Sequence, residues 1–307
     1  MVKGKYCFGI LCVLLFAGAV VWFSGCGGEV REEKIELCQG YYQNEEQAKE
    51  QLERFAASYS TLREWKQRRK NIIKGMLAGA ELKRHPKKCA LKPIIHSKRV
   101  YDGYSVENAA FESLPGFWVT GNLYRPVGME GKFAGILCPY GHWKTGRFRE
   151  SHQIRCATLA RMGAVVFAYD MIGFGESTQT EHNHPKAVAI QTWNSMRAID
   201  FLLTFKEVDS KRIAVTGASG GGTQSFLLTA LDKRVAVSVP AVQISAHFFG
   251  GCICESGMPI HKSSRHETSN VEISALAAPR PQLIISDGDD WTKNCLLYTS
   301  PSPRDRS

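Results

Sequence analysis

The segment from Arg212 to Asp232, RIAVTGASGGGTQSFLLTALD, constrains the fold more than any other part of the chain. A β-branched run leads into Gly217-Ala218-Ser219-Gly220-Gly221, and a helical pattern begins at once. This is G-x-S-x-G in a strand–turn–helix context. So tight a turn crowds the positions two before and two after the serine, and glycine relieves both. The turn lifts the Ser219 hydroxyl clear of the strand ends and leaves the Gly220 N–H facing an incoming carbonyl oxygen. A phosphate-cradling loop is also glycine-rich, but it needs a following Lys-Ser/Thr pair, and a dinucleotide fingerprint needs a third glycine at another spacing. Neither is present, so Ser219 reads as a nucleophile.

The flanking pattern is consistent with such a turn. Short apolar runs at 133–138, 164–168, 213–216, 235–239 and 282–286 read as buried parallel strands. Helical segments at 152–162, 187–205 and 222–231 lie between most of them, which predicts an α/β fold with a mainly parallel sheet and helices on both faces. Ahead of these, KRVYDGYSVENAAFES and GFWVTGNLYRP alternate apolar and polar residues like an antiparallel pair. Residues 44–80 read as helical, with Leu52, Phe55, Tyr59, Leu62 and Trp65 on one face and Gly79 as a stop. This N-terminal helical extension spans 44–95, and the main domain spans 96–294.

Three further motifs carry chemistry. In ILCPYGHWKTGR a strand runs into Pro139-Tyr140-Gly141-His142. In VVFAYDMIGFGES a strand ends in Asp170 and meets Gly173, Gly175 and Ser177, a turn that shapes a site. In APRPQLIISDGDDWTKN a strand ends in the acidic turn Asp287-Gly288-Asp289-Asp290. Together with RVYDGYSVENAAFESLPGFWVTGNLYRP and VTGASGGG, these stretches resemble the acetyl xylan esterase-like branch of the α/β-hydrolases, from about residue 60 to 294.

The resemblance implies an α/β-hydrolase fold and a serine esterase that hydrolyses acyl esters, acetyl esters among them, on a small molecule or a polysaccharide. It implies oxyanion amides from Gly220 and His142, a triad acid at Asp290 with Asp289 as the alternative, and no metal or organic cofactor. The chain order Ser…Asp…His calls for a histidine after the acid, yet the last of the nine is His266. The chain departs from the family there, lacking the last strand and the histidine loop, and the recorded fragment is expected to be inactive. A peptidase of the prolyl-oligopeptidase type shares the serine turn, and a surface-tethered binding protein without catalysis would also suit a missing base.

The two ends read differently from the middle. Lys3 and Lys5 precede the apolar run YCFGILCVLLFAGAVVWF, followed by SGCGGE. This pattern predicts a signal peptide over 1–25 and, because Phe23-Ser24-Gly25-Cys26 resembles a bacterial lipobox, lipidation of Cys26. An uncleaved membrane anchor is the alternative. Either expectation tethers the protein outside the cytoplasm in the cell envelope, with 26–43 as a tether. At the other end, the stretch from Cys295 to Asp305 resembles the translation of a transposase adapter used in sequencing libraries, so 295–307 reads as an artefact.

The formal net charge of +10 is concentrated in 63–100, where 13 Lys or Arg face only Glu64 and Glu81. That stretch reads as a solvated helix face, and no nucleic-acid motif accompanies it. Six of the ten cysteines lie between the two ends: Cys38, Cys89, Cys138, Cys156, Cys252 and Cys254. Export would permit disulfides, but sequence alone does not choose the pairs. Cys252, Cys254, His261 and His266 fit no standard zinc spacing, so a local disulfide or free thiols is expected there and no metal.

Overall fold

The architecture is set by a sheet whose strands read β1 (Ile94–Tyr101), β2 (Tyr104–Leu114), β3 (Phe117–Pro126), β4 (Phe133–Pro139), β5 (Ala164–Tyr169), β6 (Val208–Ala218) and β7 (Val235–Ala241) in chain order. The computed structural model describes residues 37–286. In space the order is β1-β2-β3-β5-β4-β6-β7. The first three strands and β5 pair antiparallel, while β5, β4, β6 and β7 run parallel. The parallel strands and the helices between them match the expected α/β fold. The antiparallel part differs from the expected pair, because KRVYDGYSVENAAFES folds back on itself. Tyr101 pairs with Tyr104 across a two-residue Asp102-Gly103 turn, and Gly103 takes φ +75 there. Asp-Gly is a strong signal for such a hairpin, and it splits one predicted strand into two.

Helices cover both faces. Every residue of β5 is buried. Its Val166 and Ala168 meet Cys156 and Ala160 of α3 (Glu150–Arg161) on one side. Val165, Phe167 and Tyr169 meet Trp193, Ile199 and Phe201 of α4 (Ala187–Leu202) on the other, because successive side chains alternate across a strand. Leu228 of α5 (Gly220–Leu231) joins that second cluster. The apolar run expected at 282–286 also finds its place: Gln282 and Ile285 bridge Ser238 and Ala241 in parallel, extending the sheet beyond β7.

The region read as one helical stretch over 44–80 is two helices, α1 (Glu45–Ala56) and α2 (Leu62–Gly79). A capping box separates them. Thr61 Oγ1 accepts from the Glu64 N–H at 3.2 Å, and Glu64 Oε2 accepts from the Thr61 N–H at 3.0 Å. Such a box starts a new helix regardless of the apolar stripe running through it. Ile72 and Met76 of α2 pack on Phe226 and Leu227, and on Ile273 of α7 (Asn270–Ala275). The end of the expected tether is also held: the Gly40 N–H donates to Gly250 O, the Gln43 N–H donates to His247 O, and Tyr42 stacks on Phe248. Among the described residues no helix is long and apolar enough to cross a membrane. Within the basic stretch, Arg68 pairs with Glu272 and Lys92 with Glu112, while Lys88 joins Asp200, so part of its charge is spent in ion pairs with the main domain.

Candidate active site

The end of β6 delivers Ser219 into a conformation that side chains rarely adopt, φ 56 and ψ −128. Holding a non-glycine residue there costs about 1–3 kcal/mol, which the surroundings must offset. They do so with hydrogen bonds on both sides. The Ser219 N–H donates to Ala241 O at 3.1 Å, and its carbonyl accepts the Thr223 N–H at 3.0 Å as α5 begins. The flanking glycines are required by contact with backbone. A Cβ on Gly217 would lie 2.5 Å from Gly221 O, and one on Gly221 would lie 2.4 Å from Pro139 O. The structure therefore places Ser219 on the strand–turn–helix elbow that the sequence predicts.

The loop after β4 closes over this elbow. A Cβ on Gly141 would lie 2.7 Å from Ala218 O, 3.2 Å from Ser219 Cβ and 3.5 Å from Gly220 N. The imidazole of His142 comes next, with Cε1 2.8 Å from where Gly220 would carry a Cβ. Gly220 and His142, the two predicted oxyanion residues, are thus neighbours.

Asp170 supports the same edge of the sheet from beneath. Its carboxylate pairs with Arg147 of a short 3-10 turn (Gly146–Phe148) and accepts from Thr120 Oγ1 at 2.8 Å and from the Glu176 N–H at 3.1 Å. A Cβ on Gly175 would strike that carboxylate at 2.4 Å. The turn from Asp170 to Ser177 is structural, as its spacing suggests.

The sequence missed a grouping beside this elbow. His142, His182, Cys252 and Cys254 bring their ligand atoms within 4.8 Å of one another. His142 Nε2 lies 3.1 Å from Cys254 Sγ, and His182 Nε2 lies 2.9 Å from Cys252 Sγ. His261 and His266, whose spacing to the two cysteines fits no zinc pattern, indeed lie elsewhere. His261 Nε2 bonds Asn270 Oδ1, and His266 sits between Ser263 and Ile260 O. Cys252 and Cys254 are free thiols, so no local disulfide forms between them. Spacing along the chain gives no hint of His182, but topology does. His142 follows β4, His182 follows β5 and the cysteines follow β7, and loops at the carboxyl ends of parallel strands converge.

The electrostatics of the cluster follow from that convergence. Hydrogen bonds from Cys254, His142 and His182 push the Cys252 thiol down to about 2, against the effect of burial. Cys254 shifts the opposite way, raised by its bond to Cys252 and by burial. Burial opposes charge on His142, but Cys252 and the Glu255 carboxylate outweigh it and its pKa is raised. Glu255 itself is buried and its pKa is raised by that burial. It accepts from Gln243 Nε2 at 2.7 Å and from the Gly251 N–H at 3.0 Å.

The remaining predicted residues, Asp289, Asp290 and Cys26, lie outside the described residues. The strand-like segment leading to the acidic turn does run to Ile285, whose carbonyl accepts the Val242 N–H. That contact puts it at the edge where Ala241 holds Ser219. A cavity of about 300 Å³ is lined by residues of β1, β2, β3, the 3-10 turn and α3, including Tyr101, Tyr104, Phe148 and Arg161, and by none of the elbow residues.

Comparison with known proteins adds to this geometry. A model of the fungal glucuronyl esterase family matches residues 179–254, the stretch that contains Ser219. The solved structure of the methylesterase BT1017 is 40% identical, with a TM-score of 0.77 over 83% of this chain and 58% of that one. A Bacteroides fragilis protein of the acetyl xylan esterase type shares the fold at 16% identity and a TM-score of 0.58, over 73% of this chain and 68% of its own. A glucuronoyl esterase from Solibacter usitatus does so at 17% identity and 0.54, over 76% of this chain and 77% of its own. An uncharacterised Pseudomonas aeruginosa protein, PA2218, is 31% identical over 131 residues, which are 41% of this chain and 33% of that protein. The chain thus spans about a third of that curated relative and 58% of the methylesterase. By its sheet, its elbow and these likenesses, the chain has the α/β-hydrolase fold and resembles the carbohydrate-esterase-type proteins that share it.

Proposed function

We propose that the protein hydrolyses carboxylic esters of carbohydrates, with Ser219 as the nucleophile. The observation that carries this reading is the Ser219 elbow, held at positive φ with Gly141 of the β4 loop packed against it. In the proposed reaction Ser219 Oγ attacks the ester carbonyl while a histidine oriented by Asp290 takes its proton. The N–H groups of Gly220 and His142 receive the oxyanion, the alcohol leaves, and water releases the acyl group from the serine.

The sequence resemblance favours an acetyl ester, in which the sugar is the alcohol. The 40% likeness to a methylesterase and the glucuronyl esterase match favour the reverse, in which a sugar acid is the acyl group. We place a methyl-esterified uronic acid first and an acetylated sugar second. Protein produced from the genomic locus should release methanol from a methyl-esterified polyuronide, and Ser219→Ala should abolish the release. Acetate release alone selects the second substrate. Cleavage of a peptide, or ester turnover unaffected by Ser219→Ala, would overturn the esterase reading.

Export and lipid anchoring at Cys26 are part of the proposal, supported by the charged and apolar run before that residue. Metabolic labelling with a fatty acid tests them, since unchanged labelling and processing of Cys26→Ala excludes the lipobox.

A further inference from the structure

We propose that His142, His182, Cys252 and Cys254 form a closed structural zinc site that ties three loops together beside Ser219. The donors come from three separate loops, yet their ligand atoms lie within 4.8 Å of one another. Tetrahedral zinc with bonds of about 2.0–2.3 Å needs ligand atoms about 3.4–3.8 Å apart, so small side-chain movements close the shell. Two thiolates and two neutral imidazoles balance a divalent ion, leaving the half-buried site uncharged. Two protons pass from the four donors to solvent as the ion binds, leaving both sulfurs as thiolates and both imidazoles neutral.

The groups behind the donors fit the same assignment. His182 Nδ1 lies 3.0 Å from Ile172 O. A proton on Nδ1 satisfies that carbonyl and leaves the Nε2 lone pair facing Cys252 Sγ, the arrangement found behind zinc-bound histidines. His142 turns Nδ1 toward Glu255, 3.9 Å away, and Nε2 toward Cys254. Glu255 Oε2 accepts from the Gly251 and Cys252 N–H groups at 3.0 and 3.3 Å, fixing the turn that presents both cysteines. This gives the buried Glu255 a positioning role. Cys252 starts the one-turn helix α6 (Ile253–Ser256), so Cys252 and Cys254 reach one point from a short, stiff segment.

Four soft or borderline donors select zinc over magnesium or calcium, which take oxygen ligands. Four protein ligands leave no open position, so the ion would hold loops and not activate water. It would fix His142, whose backbone is the predicted oxyanion donor, and cross-link the ends of β4, β5 and β7 in place of a disulfide. The site stands on its own donors and does not rest on the esterase reading.

The decisive measurement is metal analysis of the full chain purified with zinc in the medium. The expected result is about one zinc per chain, lost in Cys252→Ser and Cys254→Ser and kept in Cys89→Ser. Cobalt substitution should give a thiolate-to-metal charge-transfer band together with the intense visible bands of a tetrahedral ion. These readouts use the unmodified chain, so they hold even if the variants fold poorly. A folded protein without stoichiometric zinc overturns the proposal, as does a mass two hydrogens short that marks a disulfide between Cys252 and Cys254. Zinc present with no ester hydrolysis leaves this site standing and removes only the proposed function.

Discussion

Arg147 and Asp170 form an ion pair shut away from water on both sides, their side chains 1% and 0% exposed. Removing one member of such a pair strands the other as a buried charge, which costs about 3–5 kcal/mol. Asp170→Ala leaves Arg147 only its pairing with the exposed Glu176, so it should lower the unfolding free energy by up to about that amount, read from urea denaturation. Replacing both residues by apolar side chains of similar volume should recover much of the loss. If the single and double variants are equally destabilised, the Asp170 turn is held by its glycines and not by this pair.

The helix α2 ends where another backbone touches it. A Cβ on Gly79 would lie 2.1 Å from Pro259 O, and one on Gly75 would lie 2.2 Å from the His266 ring. Alanine is the better helix former by about 1 kcal/mol, so propensity alone predicts stabilisation by Gly79→Ala. Overpacking against a carbonyl that cannot rotate away costs about 1–3 kcal/mol and wins. We expect Gly79→Ala to be destabilised by thermal melting, with Gly75→Ala affected less because an imidazole can shift.

Much of this was legible in the sequence, and the failures have particular causes. The elbow at Ser219 could be read because steric demand fixes residue types within a few positions. The parallel strands could be read because burial on both faces leaves continuous apolar runs, as in β5. The break before α2 was missed although Thr61 and Glu64 announce it, because the apolar stripe runs on through the cap. The Asp102-Gly103 hairpin was hidden in the same way by unbroken alternation. The His142–Cys254 contact was beyond reach, since residues 112 positions apart meet only through the strand order.

Gly141 lies where any side chain would press on Ser219. Its Cβ would sit 3.2 Å from Ser219 Cβ and 2.7 Å from Ala218 O. Pushing the β4 loop outward moves the His142 N–H away from its proposed place in the oxyanion hole while leaving the core of the sheet untouched. Gly141→Ala should lower kcat by roughly 10²-fold, the scale of a small misplacement at a reacting centre, with a nearly unchanged melting temperature. An unchanged kcat would mean that the oxyanion is not held by this loop.

His261 sets an acid limit on the fold. It is buried, its Nε2 bonds Asn270 Oδ1 at 2.7 Å, and Phe249 meets its ring edge-on. Burial lowers its pKa to about 4, although Asn270 opposes the shift and His266 adds to it. In the unfolded chain the same group titrates near pH 6.5, so below that pH the unfolded state binds the extra proton. The contribution is fully present above about pH 6.5 and is lost as the pH falls toward about 4, on the order of 3 kcal/mol in all. Urea denaturation at a series of pH values should show His261→Gln losing less stability than the unmodified protein across that interval, whatever its stability near neutrality. Parallel curves for the two proteins would show that His261 takes up its proton without unfolding the segment around Asn270.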